Sequence, residues 1–181
     1  MSRRNLRFGF AIVTAMIIGL TSCRQPAAPP APEKVPSAAD KAAELAAVNE
    51  AAARRLMDEV LTKGNVALLD EILAPDFVEH QQFPPDVPPG AGAVKWFVEN
   101  FRPAFPDLTI TIDQVVASGD LVAVRSTWRG THKGEWMGMK PTGKAIEFES
   151  FDIMRFKDGK AVEHWGMDGG EQALRAAKES K

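Results

Sequence analysis

The stretch LTITIDQVVASGDLVAVRSTWRGTH, residues 108–132, decides the fold class of this chain. Apolar and polar residues alternate from Leu108 to Asp113, and this period of two is typical of a half-buried strand. The SGD segment at 118–120 predicts a turn, and residues 121–132 predict a second strand. The stretch therefore indicates neighbouring strands rather than helix.

Two further strands are expected downstream, at 145–157 and 161–168. The segment KDGK at 157–160 predicts the tight hairpin turn between them, because its glycine supplies the backbone conformation that such turns need. The second half of the chain is thus predicted to form an antiparallel sheet.

Helical patterns dominate the part of the chain before these strands. Residues 39–63 predict a long helix with a single apolar stripe, and Gly64 ends it. The stripe consists of Leu45, Val48, Ala52, Leu56 and Val60. A short helix is expected from Asn65 through Leu73, then an extended or turn segment at 74–80, a proline-rich loop at 83–92 and a helix at 91–101. Helices followed by strands predict an α+β fold in which the helices cover one face of the sheet.

The N-terminus has the features of an export signal. Three arginines (Arg3, Arg4 and Arg7) precede an apolar run from Phe8 to Leu20, which is too short to cross a bilayer comfortably. The run ends in LTSC, which resembles a bacterial lipobox with Cys23 as the lipidated residue. We expect a lipoprotein signal peptide at 1–22, a Pro/Ala-rich tether at 23–38 and one domain at 39–181. The domain would then lie outside the cytoplasm, anchored to a membrane of the bacterial cell envelope.

Composition narrows the classes of partner. Cys23 is the only cysteine, so no intramolecular disulfide can form and the domain depends on core burial. The net charge is −2, and without the three N-terminal arginines 19 basic residues face 24 acidic ones, a net charge near −5. No basic patch is apparent, and a nucleic-acid partner is therefore not expected.

Several motifs resemble one family in the same order. They are FPDL (105–108), GDLVAVR (119–125), GTHKG (130–134), PTGK (141–144), DGKAVEHW (158–165) and the following Asp168. Over roughly residues 51–170 the chain resembles SnoaL-like polyketide cyclases, also called ester cyclases, of the nuclear-transport-factor-2-like superfamily. The resemblance implies a cone-shaped α+β fold that encloses a pocket, and a homodimer.

The resemblance also implies chemistry. The polyketide cyclases of the group close a ring by an intramolecular aldol condensation without metal or cofactor. Their general base is the aspartate that follows a Glu-x-Trp pattern, and the corresponding residues here are Glu163, Trp165 and Asp168. His80 and His132 match positions that reach the pocket, and we expect them as polar catalytic partners. The pocket wall is expected to include Trp128, Phe148, His164 and Trp165.

The residues themselves leave alternatives open. Asp168 is either a base or a cap of the turn at Gly169 and Gly170, and His132 is either a pocket acid/base or a core residue. His164 and Asp168 would lie about 13 Å apart in a regular strand, too far to form a dyad or to bind one metal ion unless a bulge at Gly166 brings them together. Three histidines without close pairing do not predict a metal site.

Two arrangements known from the same superfamily are constrained by composition. The chain contains no tyrosine, so the tyrosine-based oxyanion hole of ketosteroid isomerase, a standard example of carboxyl pKa tuning, is excluded. An epoxide-hydrolase arrangement of two aspartates and an arginine would require Arg125 to point inward.

The sequence thus predicts cofactor-independent acid/base chemistry on a small carbonyl compound in an apolar pocket. The main alternative is a non-catalytic envelope lipoprotein that binds a small apolar ligand. A dimeric scaffold with a vestigial pocket is a third possibility, and it would place the loop around Trp136 at a large apolar interface.

Overall fold

The computed structural model describes residues 35–179, and the predicted signal peptide and Cys23 lie outside this range. The helices are α1 (Ala38–Arg55), which continues as a π-helix (Leu56–Thr62), then a 3-10 turn (Val66–Leu68), α2 (Leu69–Ile72), α3 (Ala91–Ala104) and α4 (Gly170–Glu179). The strands are β1 (Leu73–Glu79), β2 (Thr109–Ser118), β3 (Leu121–Thr131), β4 (Ala145–Lys157) and β5 (Lys160–Asp168).

The long N-terminal helix is present, with a capping box at its start. Ser37 Oγ accepts a hydrogen bond from the Asp40 amide at 3.1 Å, and Asp40 Oδ2 accepts one from the Ser37 amide at 2.8 Å. These two bonds satisfy amides that the first helical turn leaves without partners.

The predicted apolar stripe of this helix is only partly correct. Leu45 and Val48 are 43% and 50% exposed, whereas Asn49 and Ala53 are fully buried. Asn49 Nδ2 donates to the carbonyl of Gly119 at 3.0 Å, which ties the helix to the turn between β2 and β3. A polar side chain therefore occupies the buried face, where its amide nitrogen has a backbone partner in this turn.

The five strands form one sheet in the order β1-β5-β4-β3-β2. The four predicted strands pair antiparallel as neighbours, and β1 joins β5 in parallel. The sequence predicts the segment 74–80 only as extended or turn, because its pairing as a strand depends on β5, which lies far along the chain. The register of this pair shifts between Leu73 and Val78, next to Pro75, which has no amide to donate.

The helices pack on one face of the curved sheet, so the predicted α+β arrangement is confirmed. Strand β4 shows the two faces clearly: Ile146, Phe148 and Ser150 are buried, and the alternate residues Glu147 and Glu149 are exposed. The core between the layers includes Met57, Val60, Phe105, Val122 and Met154. Among residues 35–179, no helix combines the length and the apolar character that a membrane span requires.

Candidate functional site

A cavity of about 660 Å³ lies between the inner face of the sheet and the helices. This volume is within the range of about 300–1,000 Å³ that is typical of small-molecule sites. The cavity has an apolar wall and a polar end, and α4 borders it through Leu174 and several charged side chains.

The apolar wall is a cluster of aromatic rings. The Phe101 ring centroid lies 4.9 Å from that of Trp136 and 5.9 Å from that of Trp128, both edge-on. Phe148 stacks against Trp128 at 5.6 Å, and Phe97 completes the group. The Trp128 indole donates to Ser126 Oγ at 2.9 Å, so its one polar group is satisfied away from the ligand space. The wall therefore offers π faces and edges rather than hydrogen bonds.

Trp128 and Phe148, two of the expected wall residues, line this cavity. Trp136 and Met139 line it as well, because the loop 133–144 folds back over α3. The backbone amide and carbonyl groups of Trp136 and Met139 exchange two hydrogen bonds, at 3.1 and 2.8 Å, which makes the loop tip a tight turn. The apolar loop around Trp136 therefore lines the cavity of its own chain.

The polar end is built by two adjacent strands whose side chains alternate in direction. On β5, His164 and Asp168 reach the cavity, while Met167 points outward and is 76% exposed. On β4, Ser150 and Asp152 reach it. Glu79 and Gln81, at and just after the end of β1, contribute two more polar groups.

His164 is held between two carboxylates. Its Nδ1 lies 2.8 Å from Glu79 Oε2, and its Nε2 lies 3.1 Å from Asp152 Oδ1. The side chains are largely buried, with exposed fractions of 16% for His164, 4% for Glu79 and 12% for Asp152. Burial alone would lower the pKa of His164, but the hydrogen bonds and charges of Asp152 and Glu79 outweigh it and raise that pKa to about 9. At neutral pH the ring is therefore an imidazolium.

Asp168 lies at the exposed edge of the polar end, with both carboxylate oxygens hydrogen-bonded. Oδ1 accepts from the amide of Gly170 at 2.8 Å, at the start of α4, and Oδ2 accepts from Gln81 Nε2 at 3.0 Å. The capping contact that the sequence left open is thus present. It also fixes the direction of a carboxylate that lines the cavity.

His132 is not at the cavity wall, contrary to expectation. It is fully buried, stacks on Phe105 at 5.2 Å between ring centroids, and places Nδ1 3.3 Å from Thr142 Oγ1. Its Nε2 has no hydrogen-bond partner, and burial lowers the pKa of the ring. The strand ends at Thr131, so the face pattern of β3 does not continue to His132.

His80 and Trp165 also lie away from the cavity. Their rings stack at 4.7 Å between centroids and are nearly parallel, and His80 is exposed. Trp165 follows His164 in β5 and therefore points to the opposite face of the sheet, where Arg155 lies 5.9 Å from its ring centroid. His164 and Trp165 could not both have lined the pocket.

Four residues of the polar end were not predicted from the sequence: Glu79, Gln81, Ser150 and Asp152. Asp152 shares its strand face with Phe148 and Ser150, so strand parity was a usable signal for it. Glu79 and Gln81 offered no such signal, because they reach His164 and Asp168 only through the parallel pairing of β1 with β5.

The remaining candidates point away from the cavity. Arg125 lies on the outer face and binds Glu149 at 2.7 Å, so the arrangement of two aspartates and an inward arginine is not present. Within residues 35–179, no group of three or more His, Cys, Asp and Glu side chains is arranged to hold a metal ion.

Fold and site together define a class: a small α+β protein whose curved sheet and helices enclose an aromatic cavity with acid/base groups at one end. The model of the SnoaL-like polyketide cyclase family matches residues 51–175. The chain belongs to this family, and its fold is the nuclear-transport-factor-2-like one.

Solved structures agree with this assignment. IdmH from Streptomyces antibioticus, assigned as a polyketide cyclase, is 33% identical over 70% of this chain and 96% of its own, with a TM-score of 0.60. A protein from Bacillus cereus, also assigned as a polyketide cyclase, is 26% identical over 72% of this chain and 80% of its own, with a TM-score of 0.62.

A third relative carries a different assignment. AclR from Streptomyces galilaeus, assigned as a hydroxylase, is 27% identical over 75% of this chain and 83% of its own, with a TM-score of 0.63. A search of curated proteins found no match. Because similar structures carry different assigned activities, the fold does not determine the reaction.

Proposed function

We propose that this chain is an acid/base enzyme that removes a proton next to the carbonyl group of a small, largely apolar compound, without a cofactor. Asp168 is the base. One observation carries the proposal: an oriented carboxylate lies at the polar end of a cavity that has an aromatic wall. Family membership supports the reaction class, since an intramolecular aldol ring closure begins with the same proton abstraction.

The surroundings of Asp168 suit this role. The Gly170 amide and the Gln81 side chain hold its two oxygens, so the carboxylate does not have to be oriented when the ligand binds. Each oxygen of a carboxylate has a second lone pair that is free to accept a proton. The aromatic wall formed by Phe101, Trp128 and Phe148 would place an apolar ligand beside it.

The experiment uses 2-tetralone, a bicyclic aromatic ketone with exchangeable protons next to its carbonyl group. In D2O, proton NMR follows the loss of these protons. We expect the wild-type chain to accelerate the exchange and Asp168→Asn to reduce it by about 100-fold or more, the usual contribution of a general base. Calorimetry is expected to show similar 2-tetralone binding for both.

Asp76→Asn is the matched control, because Asp76 is exposed on β1 and does not line the cavity. It should exchange at the wild-type rate. Binding of 2-tetralone without any accelerated exchange would contradict the enzyme proposal and would favour a non-catalytic ligand-binding protein.

We further propose that the chain is a lipid-anchored envelope protein. The basic N-terminal residues, the apolar run and the LTSC segment support this proposal, and Cys23 would carry the lipid. Expression in a bacterium with a labelled fatty acid should mark the wild-type chain and leave Cys23→Ser unlabelled. Label on the Cys23→Ser chain would contradict it.

A homodimer is the third part of the proposal. The outer face of the sheet carries exposed apolar side chains: Val116 on β2, Phe151 and Ile153 on β4, and Met167 on β5. Phe151 and Met167 are direct neighbours across β4 and β5, and Ile153 lies opposite Trp165. An exposed apolar patch of this kind is typical of a contact surface, and a second copy of the same face is the partner that the family resemblance implies.

A further inference from the structure

A continuous hydrogen-bonded chain runs along the polar end of the cavity and links its two outlying carboxylates. Asp168 accepts a hydrogen bond from the side-chain nitrogen of Gln81, and the backbone N–H of Gln81 donates to Glu79 Oε1 at 2.8 Å. Glu79 binds His164, which binds Asp152 Oδ1, and Ser150 Oγ donates to Asp152 Oδ2 at 2.9 Å. Each of these side chains lines the cavity, so a ligand bound there would contact the hydrogen-bonded residues.

The sheet register places Asp152 and Asp168 on one face at a useful spacing. Asp152 lies opposite Gly166, and Ser150 lies opposite Asp168. The two aspartates are therefore diagonal neighbours across adjacent strands, about 7 Å apart at Cβ. A carbonyl group and the carbon next to it fit between two groups at this spacing.

Gly166 keeps the space between the aspartates open. A Cβ atom added there would lie 3.0 Å from Gln81 Oε1 and from His164 Cε1, and 3.2 Å from Asp152 Oδ1. Three members of the hydrogen-bonded chain thus converge on the position that a side chain would fill.

The two ends of this hydrogen-bonded series differ in the kind of group that donates to the aspartate. At the Asp168 end, the donors are an amide and a carboxamide, neither of which gives up a proton at neutral pH. At the Asp152 end, the donors are the Ser150 hydroxyl and the His164 imidazolium, and the imidazolium can give up a proton. The site therefore has a proton acceptor at one end and a proton donor at the other.

We propose that His164 and Asp152 form the proton-donating half of the site, opposite the base Asp168, with Glu79 as the positioning residue behind His164. This inference rests on the proposed proton abstraction and assigns its missing partner.

The step balances without a co-reactant. Asp168 takes the proton from the carbon next to the carbonyl group, and the electron pair of that C–H bond becomes the C=C bond. The π pair of the C=O bond moves to oxygen, which takes the proton shared by His164 Nε2 and Asp152 Oδ1. The products are an enol, a protonated Asp168 and a neutral His164, with Asp152 still ionised. The reverse step restores both groups.

The proton affinity of His164 suits this role. The pKa of His164, about 9, lies near the pKa of an enol oxygen. Acid catalysis is most effective when the pKa of the donor and that of the accepting oxygen are close. The charged groups facing His164 are Glu79 from β1 and Asp152 from β4, with Asp168 farther along its own strand. On α4, Glu171, Arg175, Lys178 and Glu179 line the cavity. α1 contributes no residue to the cavity lining, and the residues of the π-helix and of α3 that line the cavity are uncharged.

The test is the pH profile of 2-tetralone proton exchange in wild type and Glu79→Gln, with the NMR titration of the His164 ring measured in parallel. Glutamine retains a carbonyl oxygen for Nδ1–H but removes the charge. We expect the wild-type exchange rate to fall as the pH rises past about 9. In Glu79→Gln this fall should occur about one to two pH units lower, because the His164 ring loses one charge-assisted hydrogen bond. A role confined to folding would lower the rate without moving the profile.

Glu163→Gln is the matched control, because Glu163 precedes His164 on the same strand but binds Arg155 at 3.0 Å on the outer face. Its profile should remain that of the wild type. Asp152→Asn is the second variant, and it should reduce exchange by about 100-fold while Asp168 remains intact.

The outcomes separate the two proposals. If Asp168→Asn abolishes exchange but Glu79→Gln lowers the titration point of His164 without moving the rate profile, this inference is wrong and the proposed function stands. If Asp152→Asn exchanges at the wild-type rate, the inference is likewise overturned. If the wild-type chain does not accelerate exchange, both proposals fail.

Discussion

Nδ1 of His164 lies 2.8 Å from Oε2 of Glu79, although the two residues are 85 positions apart in the chain. They are direct partners in the parallel pair formed by β1 and β5. The contact joins the first strand of the domain to the last and places a buried imidazolium at the end of the cavity. Such a pair is costly to break, because either partner alone would be a buried charge without compensation.

The first prediction concerns stability at alkaline pH. A pKa raised from 6.5 to about 9 means that the folded chain binds the His164 proton more tightly than the unfolded chain, a contribution of up to about 3 kcal/mol. This contribution is present in full below pH 6.5 and is lost as the pH rises to 9. Urea unfolding at pH 6, 7.5 and 9 should show the free energy of unfolding falling, and falling less in Glu79→Gln. A wild-type value constant over this range would refute the prediction.

The second prediction concerns Gly166. A Cβ atom there would crowd Gln81, His164 and Asp152, so Gly166→Ala should lower the free energy of unfolding by about 1–3 kcal/mol, as overpacking generally does. It should also displace the titration of His164, which NMR would detect. Gly169→Ala is the control, because a Cβ at Gly169 would meet only ordinary contacts, at 3.5 Å or more. Equal effects of the two changes would contradict the crowding argument.

The third prediction concerns His132 and acid stability. Burial lowers the pKa of this ring, so below pH 6.5 the unfolded chain binds a proton that the folded chain resists. Stability therefore falls with decreasing pH, by at most about 1.4 kcal/mol per pH unit from this group. In His132→Leu, chemical unfolding at pH 7 and pH 5 should show a smaller difference than in wild type. His80→Ala, which changes an exposed histidine, should retain the wild-type difference.

The fourth prediction concerns assembly. If the outer face of the sheet forms a homodimer, Ile153→Glu introduces charges at its centre and should give a monomer in sedimentation velocity experiments, with unchanged circular dichroism. Lys157→Glu, in the hairpin turn at the end of β4, is the control and should leave the dimer intact. A monomeric wild type at tens of micromolar protein would disprove the dimer.

Local patterns predicted most of the sheet and the main helices. The alternation at Leu108, Ile110 and Ile112 marked β2, because a strand that buries one face must repeat every second residue. Pairing between neighbouring strands followed from short turns, such as the one at Asp158 and Gly159. The same parity rule separates His164 and Asp168 from Trp165, and the expected pocket position of Trp165 neglected it.

The sequence by itself thus determined the fold class, the family resemblance and the carboxylate at the end of β5. Only the tertiary structure decided which groups surround it. Glu79 meets His164 because β1 adds in parallel to β5, and Asp152 meets it through the register of β4. Local periodicity records which side of a strand faces the core, but not which distant strand edge will supply its hydrogen-bond partners. That choice depends on the packing of the whole sheet against its helices, so the cluster of Glu79, His164 and Asp152 at the end of the cavity forms only in the folded chain.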